Sequence, residues 1–161
     1  MPHNKTKVLG IDPGTSRIGY GLIEKVGGDL RHIESGLLPI NPEKLSDIER
    51  LTAIRHSMRA LILRTAPDMI GVEKLFFTKN KKTAMRVAEA RGVILEAAAE
   101  DTKIIEVSPV AVKIAVTGDG RAGKKGVAKM VNLILKLPPR RVVDDVTDAL
   151  AIAIAASSER F

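Results

Sequence analysis

The sequence of 161 residues contains no cysteine and no tryptophan, and its only aromatic side chains are Tyr20, Phe76, Phe77 and Phe161. The lack of cysteine excludes a disulfide framework, a thiolate zinc site and a cysteine nucleophile. No long apolar stretch follows the N-terminus, and the longest apolar run near the C-terminus is far shorter than the ~20 residues that span a bilayer. We therefore expect a cytoplasmic protein with neither a signal peptide nor a membrane span.

Acidic residues are scarce in two segments of the chain. The whole sequence has 26 Lys and Arg against 19 Asp and Glu, a formal net charge of +7. Residues 74–91 carry a net charge of +5 and residues 111–141 a net charge of +7, whereas the rest of the chain carries −5. Concentrated positive charge is typical of a protein that binds nucleic acid, although solvated helix faces are the alternative interpretation.

Hydrophobic periodicity and turn signals predict an α/β protein with the element order β-β-β-α-β-α-β-α-α-α. The predicted strands are 7–12, 16–24, 30–40, 69–73 and 103–107. The predicted helices are 45–62, capped by Ser46 or Asn41, then 80–99, a helix opened by Ser108-Pro109, a helix from 124 to about 137, and 144–157. Three hairpin strands followed by alternating helices and strands favour a mixed sheet with helices on both faces, in one domain spanning residues 1–161.

Four acidic residues occupy positions that suggest chemistry. Asp12 and Glu73 each end an apolar strand, and Asp145 and Asp148 share one face of the last helix. Carboxylates held ~5 Å apart repel by roughly 3 kcal/mol per pair at an effective dielectric near 20. Mg²⁺ or Mn²⁺ would offset that repulsion, because both prefer oxygen ligands. The alternative is structural, with the strand-end acids capping loops and Asp145 acting as a helix N-cap.

Residues 118–125, GDGRAGKK, match the pattern G-x-G-x-x-G, and they match a P-loop except that Lys125 replaces the Ser or Thr. A helix is predicted before this segment, where a dinucleotide motif needs a strand, and no acid follows at 139–143. We therefore favour a basic loop that faces phosphates, with Arg121 and Lys124 beside Lys125, over a nucleotide site. A solvated loop is the alternative.

Two of the three phenylalanines lie together in a cationic stretch. Phe76 and Phe77 precede Lys79, Lys81 and Lys82. Aromatic rings beside lysines are typical of proteins that stack on unpaired bases, where stacking is worth ~1–3 kcal/mol per base. For Phe77 we favour an anchor in the core, and for Phe76 stacking and anchoring are equally good interpretations.

Three stretches taken together resemble the RuvC family of Holliday-junction resolvases. They are LGIDPGTSRIGYG near the start, GVEKLFFTKN in the middle and DDVTDALAIAIA near the end, so that the resemblance runs from Val8 to about Ala156. The resemblance implies an RNase H-like (retroviral-integrase-like) fold with a mixed five-stranded sheet. It also implies a homodimer that cuts four-way DNA junctions symmetrically, with divalent metal, in DNA recombination and repair.

The resemblance also implies roles for particular residues. It makes Asp12, Glu73, Asp145 and Asp148 catalytic metal ligands for two Mg²⁺ ions, or Mn²⁺, and leaves a contribution of Asp144 open. It matches Phe76 to an aromatic that stacks at the crossover and Lys113 and Lys124 to two DNA-contacting lysines. The expected DNA-binding residues are Phe76, Lys79, Lys81, Lys82, Lys113, Arg121, Lys124 and Lys125. The expected dimer interface lies on the helix 80–99, with Ala84, Met85, Ala88 and Leu95, and the RuvA–RuvB complex is the expected further partner.

Three rival interpretations remain to be weighed. A YqgF-like nuclease of the same fold would act on RNA, but the Phe76-Phe77 pair and the spacing of Asp145 and Asp148 argue against it. An actin-like sugar kinase or ATPase has a loop similar to IDPGTS but needs two large domains, which 161 residues do not supply. A junction-binding module without catalysis is disfavoured because all four acids are present.

Overall fold

In the computed structural model of this chain, the structure describes residues 5–76, 81–100, 102–138 and 143–159. The strands are β1 (Lys5–Pro13), β2 (Ile18–Val26), β3 (Asp29–Leu37), β4 (Met69–Glu73) and β5 (Lys103–Val107). The helices are α1 (Asp47–Thr65), α2 (Lys81–Ala99), α3 (Pro109–Thr117), α4 (Lys124–Ile134) and α5 (Asp144–Ser157). This order is the predicted one, with a short 3₁₀ turn at Pro42–Lys44 added.

The five strands form one mixed sheet in the order β3-β2-β1-β4-β5. The β1–β2 and β2–β3 pairs are antiparallel, and the β1–β4 and β4–β5 pairs are parallel. Ile11 of β1 pairs with Val72 of the parallel strand β4. The next residues, Asp12 and Glu73, therefore lie side by side at the carboxyl ends of these two strands. The predicted mixed five-stranded α/β fold is confirmed.

Helices cover both faces of the sheet. Side chains alternate along each strand, so each strand contributes apolar residues to both faces. Leu9 and Ile11 point to the face that packs against α1 and α2. Val8 and Met69 point to the opposite face, which packs against α3, α4 and α5. Within the described ranges, no helix is both long enough and apolar enough to cross a membrane.

Helix α5 lies directly on the sheet because glycines on β1 and β2 leave room for its backbone. A Cβ at Gly10 would lie 2.6 Å from the backbone nitrogen of Ala153, and a Cβ at Gly19 would overlap the carbonyl of Asp145. Both approaches are closer than a side chain permits. The glycines therefore fix the height and register of α5, and with them the positions of the acids on its first turns.

Most elements keep their predicted positions, but several of their ends differ from the structure by one to three residues. Strand β3 ends at Leu37 rather than residue 40, shortly before Pro39, which has no amide hydrogen to continue the ladder. Helix α4 ends at Ile134 rather than about 137, because Lys136 adopts φ 51° and the Leu137 amide returns to the Asn132 carbonyl in a Schellman-type ending. Of the two proposed caps for α1, Ser46 is correct, since it forms a capping box with Glu49.

Candidate active site

Three of the four predicted acids meet in one cavity. Asp12 at the end of β1, Glu73 at the end of β4 and Asp148 on α5 line a space of about 280 Å³. Lys113 from α3 and Lys124 from the start of α4 line the same cavity. Residues far apart in the sequence thus form one pocket, with acids from β1, β4 and α5 and lysines from α3 and α4.

Burial and mutual repulsion disfavour negative charge on all three acids. The pKa of Asp12 is raised from 3.8 to about 7, chiefly by burial and next by the charges of Asp148, Glu73 and Asp145. Burial and the charge of Asp148 raise the pKa of Glu73, although Lys113 opposes the shift. Burial also raises the pKa of Asp148 against the opposing effect of Lys124. In the absence of a bound cation, the cavity therefore favours the protonated, neutral form of these acids.

Asp145 lies beside this cavity rather than in its lining. Its Oδ2 atom is 2.9 Å from Nε of Arg17 in an ion pair, yet this buried oxygen has no aligned hydrogen bond in the part of the chain that the structure describes. The N-cap of α5 is Val143, so the alternative that Asp145 is a plain N-cap is wrong. Its charge still contributes to the raised pKa of Asp12, which places it within electrostatic reach of the other acids.

Lys124 is held between two carboxylates. Its Nζ lies 3.4 Å from Oδ2 of Asp148 and 3.4 Å from Oδ2 of Asp144, so Asp144 contacts the site through this lysine. Arg121 and Lys125 are exposed beside it, in the loop and first turn that lead into α4. Helix α3 precedes this loop, so the strand that a dinucleotide motif requires is absent from this described segment and the nucleotide interpretation is wrong.

The structure describes only some of the predicted aromatic and basic residues that follow Glu73. Phe76 is 60% exposed, which excludes an anchoring role in the core for this residue. Lys81 and Lys82 are exposed at the start of α2. Phe77 and Lys79 lie outside the described residues.

On α2, the predicted interface residues do not form one uniform surface. Met85 is 64% exposed and Ala88 is exposed, and Ala84 is half-buried. Leu95 packs against the chain's own core. The accessible apolar part of the helix is therefore its N-terminal half.

The donor set of the cavity fits a hard divalent cation by its chemistry. Among the described residues, which include all four acids, no group of three or more acidic or histidine side chains is arranged to hold a metal ion. Instead, Asp145 is turned to Arg17 and Asp148 to Lys124. The ligands are nevertheless carboxylate oxygens, which Mg²⁺ prefers, and a cation would offset both the burial and the repulsion that raise the pKa of Asp12. Binding of a cation would require these internal ion pairs to open.

Two arginines contact residues of the site, and no sequence pattern predicts these contacts. Arg17 follows the turn after β1 and pairs with Asp145. Arg91 of α2 donates from Nε to the backbone carbonyl of Glu73 at 2.9 Å. Neither has a characteristic spacing from an acid, so only the tertiary structure reveals these contacts.

Known proteins resemble this chain over nearly its whole length. The sequence profile described as crossover junction endodeoxyribonuclease RuvC matches residues 8–156. The crossover junction endodeoxyribonuclease RuvC of Halothermothrix orenii is 48% identical over 148 residues, which cover 91% of this chain and 89% of the relative. The protein of the same name from Thermosipho melanesiensis is 45% identical over 148 residues, covering 91% and 94%. Among solved structures, T. thermophilus RuvC in complex with Holliday junction substrate matches with a TM-score of 0.86 at 32% identity, covering 93% of this chain and 92% of that one.

Proposed function

This chain belongs to the RuvC family of crossover junction endodeoxyribonucleases, and we propose that it resolves Holliday junctions at the cavity lined by Asp12, Glu73 and Asp148. Its similarity to RuvC relatives in sequence and to RuvC in structure makes it a junction-resolving endonuclease, as the sequence predicts. The YqgF-like alternative is not favoured. The observation that carries the proposal is the meeting of three acids and two lysines in one cavity.

The acids of the cavity would hold divalent cations, which we propose to be two Mg²⁺ ions, with Mn²⁺ as a substitute. Asp12, Glu73 and Asp148 supply the ligands, and Asp145 joins them when its pair with Arg17 opens. Held by these residues, the cations would supply positive charge that activates water for attack on the scissile phosphate and that stabilises the leaving 3′ oxygen. Without a cation, ionised carboxylates crowded in the cavity would repel the phosphate.

The basic side of the cavity would hold the DNA backbone. Lys113 and Lys124 line the cavity together with the acids, so both could contact a phosphate bound there. Arg121 and Lys125 extend the positive surface along the start of α4. Contacts of this kind orient the substrate and make its affinity dependent on salt.

Phe76 would act at the centre of the junction. Its ring is 60% exposed and follows Glu73 by three residues, so a base stacked on it would lie close to the cavity. Stacking offsets part of the cost of unpairing bases at the crossover. The lysines that follow, Lys79, Lys81 and Lys82, would bind the neighbouring phosphates.

Symmetric cleavage needs two equivalent sites, so we propose a homodimer with a two-fold axis. The exposed N-terminal half of α2, with Met85, supports an interface there.

We further propose that residues 1–161 form one nuclease domain. We propose that this domain acts on DNA in the cytoplasm and works with the RuvA–RuvB complex.

The proposal is tested by offering the protein three substrates, a synthetic four-way junction, a linear duplex of the same sequence and an RNA–DNA hybrid. Each is incubated without divalent metal, with Mg²⁺ and with Mn²⁺. We expect paired symmetric nicks in the junction alone, and only when metal is present. Preferential cleavage of the hybrid would favour the RNA-directed alternative, and cleavage in the presence of EDTA would refute metal dependence.

A further inference from the structure

One guanidinium group connects helix α2 to the ends of two neighbouring strands. Arg91 donates from Nε to the backbone carbonyl of Glu73, the last residue of β4, at 2.9 Å. Its Nη2 pairs with the carboxylate of Glu106, near the end of β5. The Arg91 side chain is 13% exposed, so the group is largely enclosed by the elements that it joins.

The Glu73 peptide lies where the chain leaves the sheet. Lys74 still donates to the carbonyl of Val107 at 2.8 Å, and the residues after it, Leu75 and Phe76, are exposed. The carbonyl of Glu73 therefore lies at the point where β4 ends and the chain continues to the exposed Leu75 and Phe76. Arg91 holds this carbonyl, and the orientation of the peptide determines where the Cα–Cβ bond of Glu73 points.

We propose that Arg91 is a positioning residue for phosphodiester cleavage, which directs the Glu73 carboxylate into the cavity by fixing the Glu73 peptide. Glu106 holds the guanidinium in place from the other side. This inference rests on the proposed function, because Glu73 matters only if the cavity binds metal and cuts DNA. A direct phosphate contact by Arg91 is disfavoured, because its Nε and Nη2 are engaged and its side chain is largely buried.

The inference also implies a connection between α2 and the cavity. Phe76 lies between Glu73 and the start of α2, and Arg91, in the middle of α2, donates to the Glu73 carbonyl. A shift of α2 on binding DNA or a second copy of the chain would be passed to the Glu73 peptide through this contact. Arg91 thus links substrate binding to the geometry of a metal ligand.

The test uses Arg91→Gln, which removes the charge and the bridge, and Arg91→Lys, which keeps the charge but cannot reach both acceptors. Arg55→Gln is the matched control, because Arg55 forms an exposed ion pair with Glu96 between α1 and α2 at 3.3 Å, away from the cavity. We measure single-turnover cleavage of a four-way junction, junction affinity, and Mn²⁺ binding to the DNA-free protein by electron paramagnetic resonance. Thermal melting confirms that each variant is folded.

We expect Arg91→Gln to slow cleavage by about 10- to 100-fold while junction affinity stays within about 2-fold, since a small misplacement of a catalytic group has a cost of this size. Arg91→Lys should recover part of the rate, and Arg55→Gln should match the wild type. If Arg91→Gln does not fold, the cleavage rate of Arg91→Lys relative to the wild type tests the proposal instead. Unchanged cleavage in a folded Arg91 variant would overturn the proposal.

A double-mutant cycle with Glu73→Gln separates positioning from general stabilisation. Arg91→Gln should weaken Mn²⁺ binding in the wild-type background and add nothing to the loss caused by Glu73→Gln, because both changes act through one carboxylate. Equal losses in both backgrounds would show that Arg91 does not act through Glu73. If the wild-type protein bound Mn²⁺ but did not cut the junction, the proposed function would fail, whereas the cycle would still test Arg91.

Discussion

The side-chain nitrogen of Lys124 lies 3.4 Å from a carboxylate oxygen of Asp148. A residue that we propose for phosphate binding is thus paired, in the free protein, with a residue that we propose for metal binding. A cation on Asp148 would release Lys124 toward DNA, and DNA that takes Lys124 would release Asp148 toward metal. By linkage, each ligand should then strengthen the binding of the other.

Lys124→Gln should change metal binding and DNA binding in opposite directions. We expect tighter Mn²⁺ binding to the DNA-free protein, because a competing positive charge is lost from the cavity. We also expect weaker junction binding, with the slope of log affinity against log salt reduced by about one. Calorimetry with Mn²⁺ and fluorescence anisotropy with a labelled junction at several salt concentrations measure these effects.

The matched control for that variant is Lys5→Gln, which removes the same charge at the opposite end of β1 from Asp12, where Lys5 lies 3.9 Å from Glu24. It should change neither Mn²⁺ affinity nor the salt dependence of junction binding. Weaker Mn²⁺ binding in Lys124→Gln than in the control would contradict the competition between lysine and metal.

Asp12→Asn should stabilise the metal-free protein at neutral and alkaline pH. The pKa of Asp12 is raised from 3.8 to about 7, so between these values the folded protein keeps a proton that the unfolded chain has released. Its contribution to the free energy of unfolding therefore falls as the pH rises from about 4 to about 7, by at most ~4 kcal/mol. Urea unfolding in EDTA should show the variant gaining stability over the wild type at pH 8 and little at pH 3.5.

Asp29→Asn, at the exposed start of β3, is the control for this pH dependence and should follow the wild type. An Asp12→Asn variant that is less stable than the wild type at pH 8 would show that the Asp12 carboxylate is favourably paired in the folded protein. That result would remove the electrostatic argument for a cation in the cavity.

Phe76→Ala should lower cleavage more than it lowers junction binding. The neighbouring Leu75 is also exposed, 44% against 60% for Phe76, so Leu75→Ala is a control of similar environment. Neither change removes a buried side chain, so stability should stay within about 0.5 kcal/mol. Gel-shift affinity and single-turnover rates are compared for the three proteins, and equal losses of binding and rate in Phe76→Ala would count against a role in opening the crossover.

Gly19→Ala should displace the start of α5 and thereby the acids on it. The added Cβ would overlap the carbonyl of Asp145 and lie 3.0 Å from the backbone nitrogen of Val146, so backbone must shift. Overpacking of this kind costs about 1–3 kcal/mol. Thermal melting should show this loss together with slower cleavage, whereas Gly28→Ala, where a Cβ meets open space, should leave both unchanged.

Much of the fold follows from patterns that are local in the sequence. The alternating strands and the Ser46 cap are each encoded within a few residues, and the order and type of the elements were predicted correctly. The errors fell at element ends, such as Lys136, where a left-handed residue closes α4 and no glycine marks the position.

The contacts of the candidate site are less predictable. Asp12 and Glu73 stand out because each ends an apolar strand, and parallel pairing of β1 with β4 brings them together. The ion pair of Arg17 with Asp145 and the bond from Arg91 to Glu73 join residues that are far apart in the chain and have no fixed spacing. Such contacts depend on how α2 and α5 pack on the sheet, which composition and periodicity do not encode.

The assignment of the acidic cavity as the nuclease centre is tested most directly by Asp12→Asn acting on a synthetic four-way junction in Mg²⁺. Junction affinity and single-turnover cleavage are measured side by side with the wild type. We expect the variant to bind the junction as the wild type does and to produce no nicks, because it keeps the basic surface and loses a metal ligand. Cleavage at the wild-type rate would contradict the assignment.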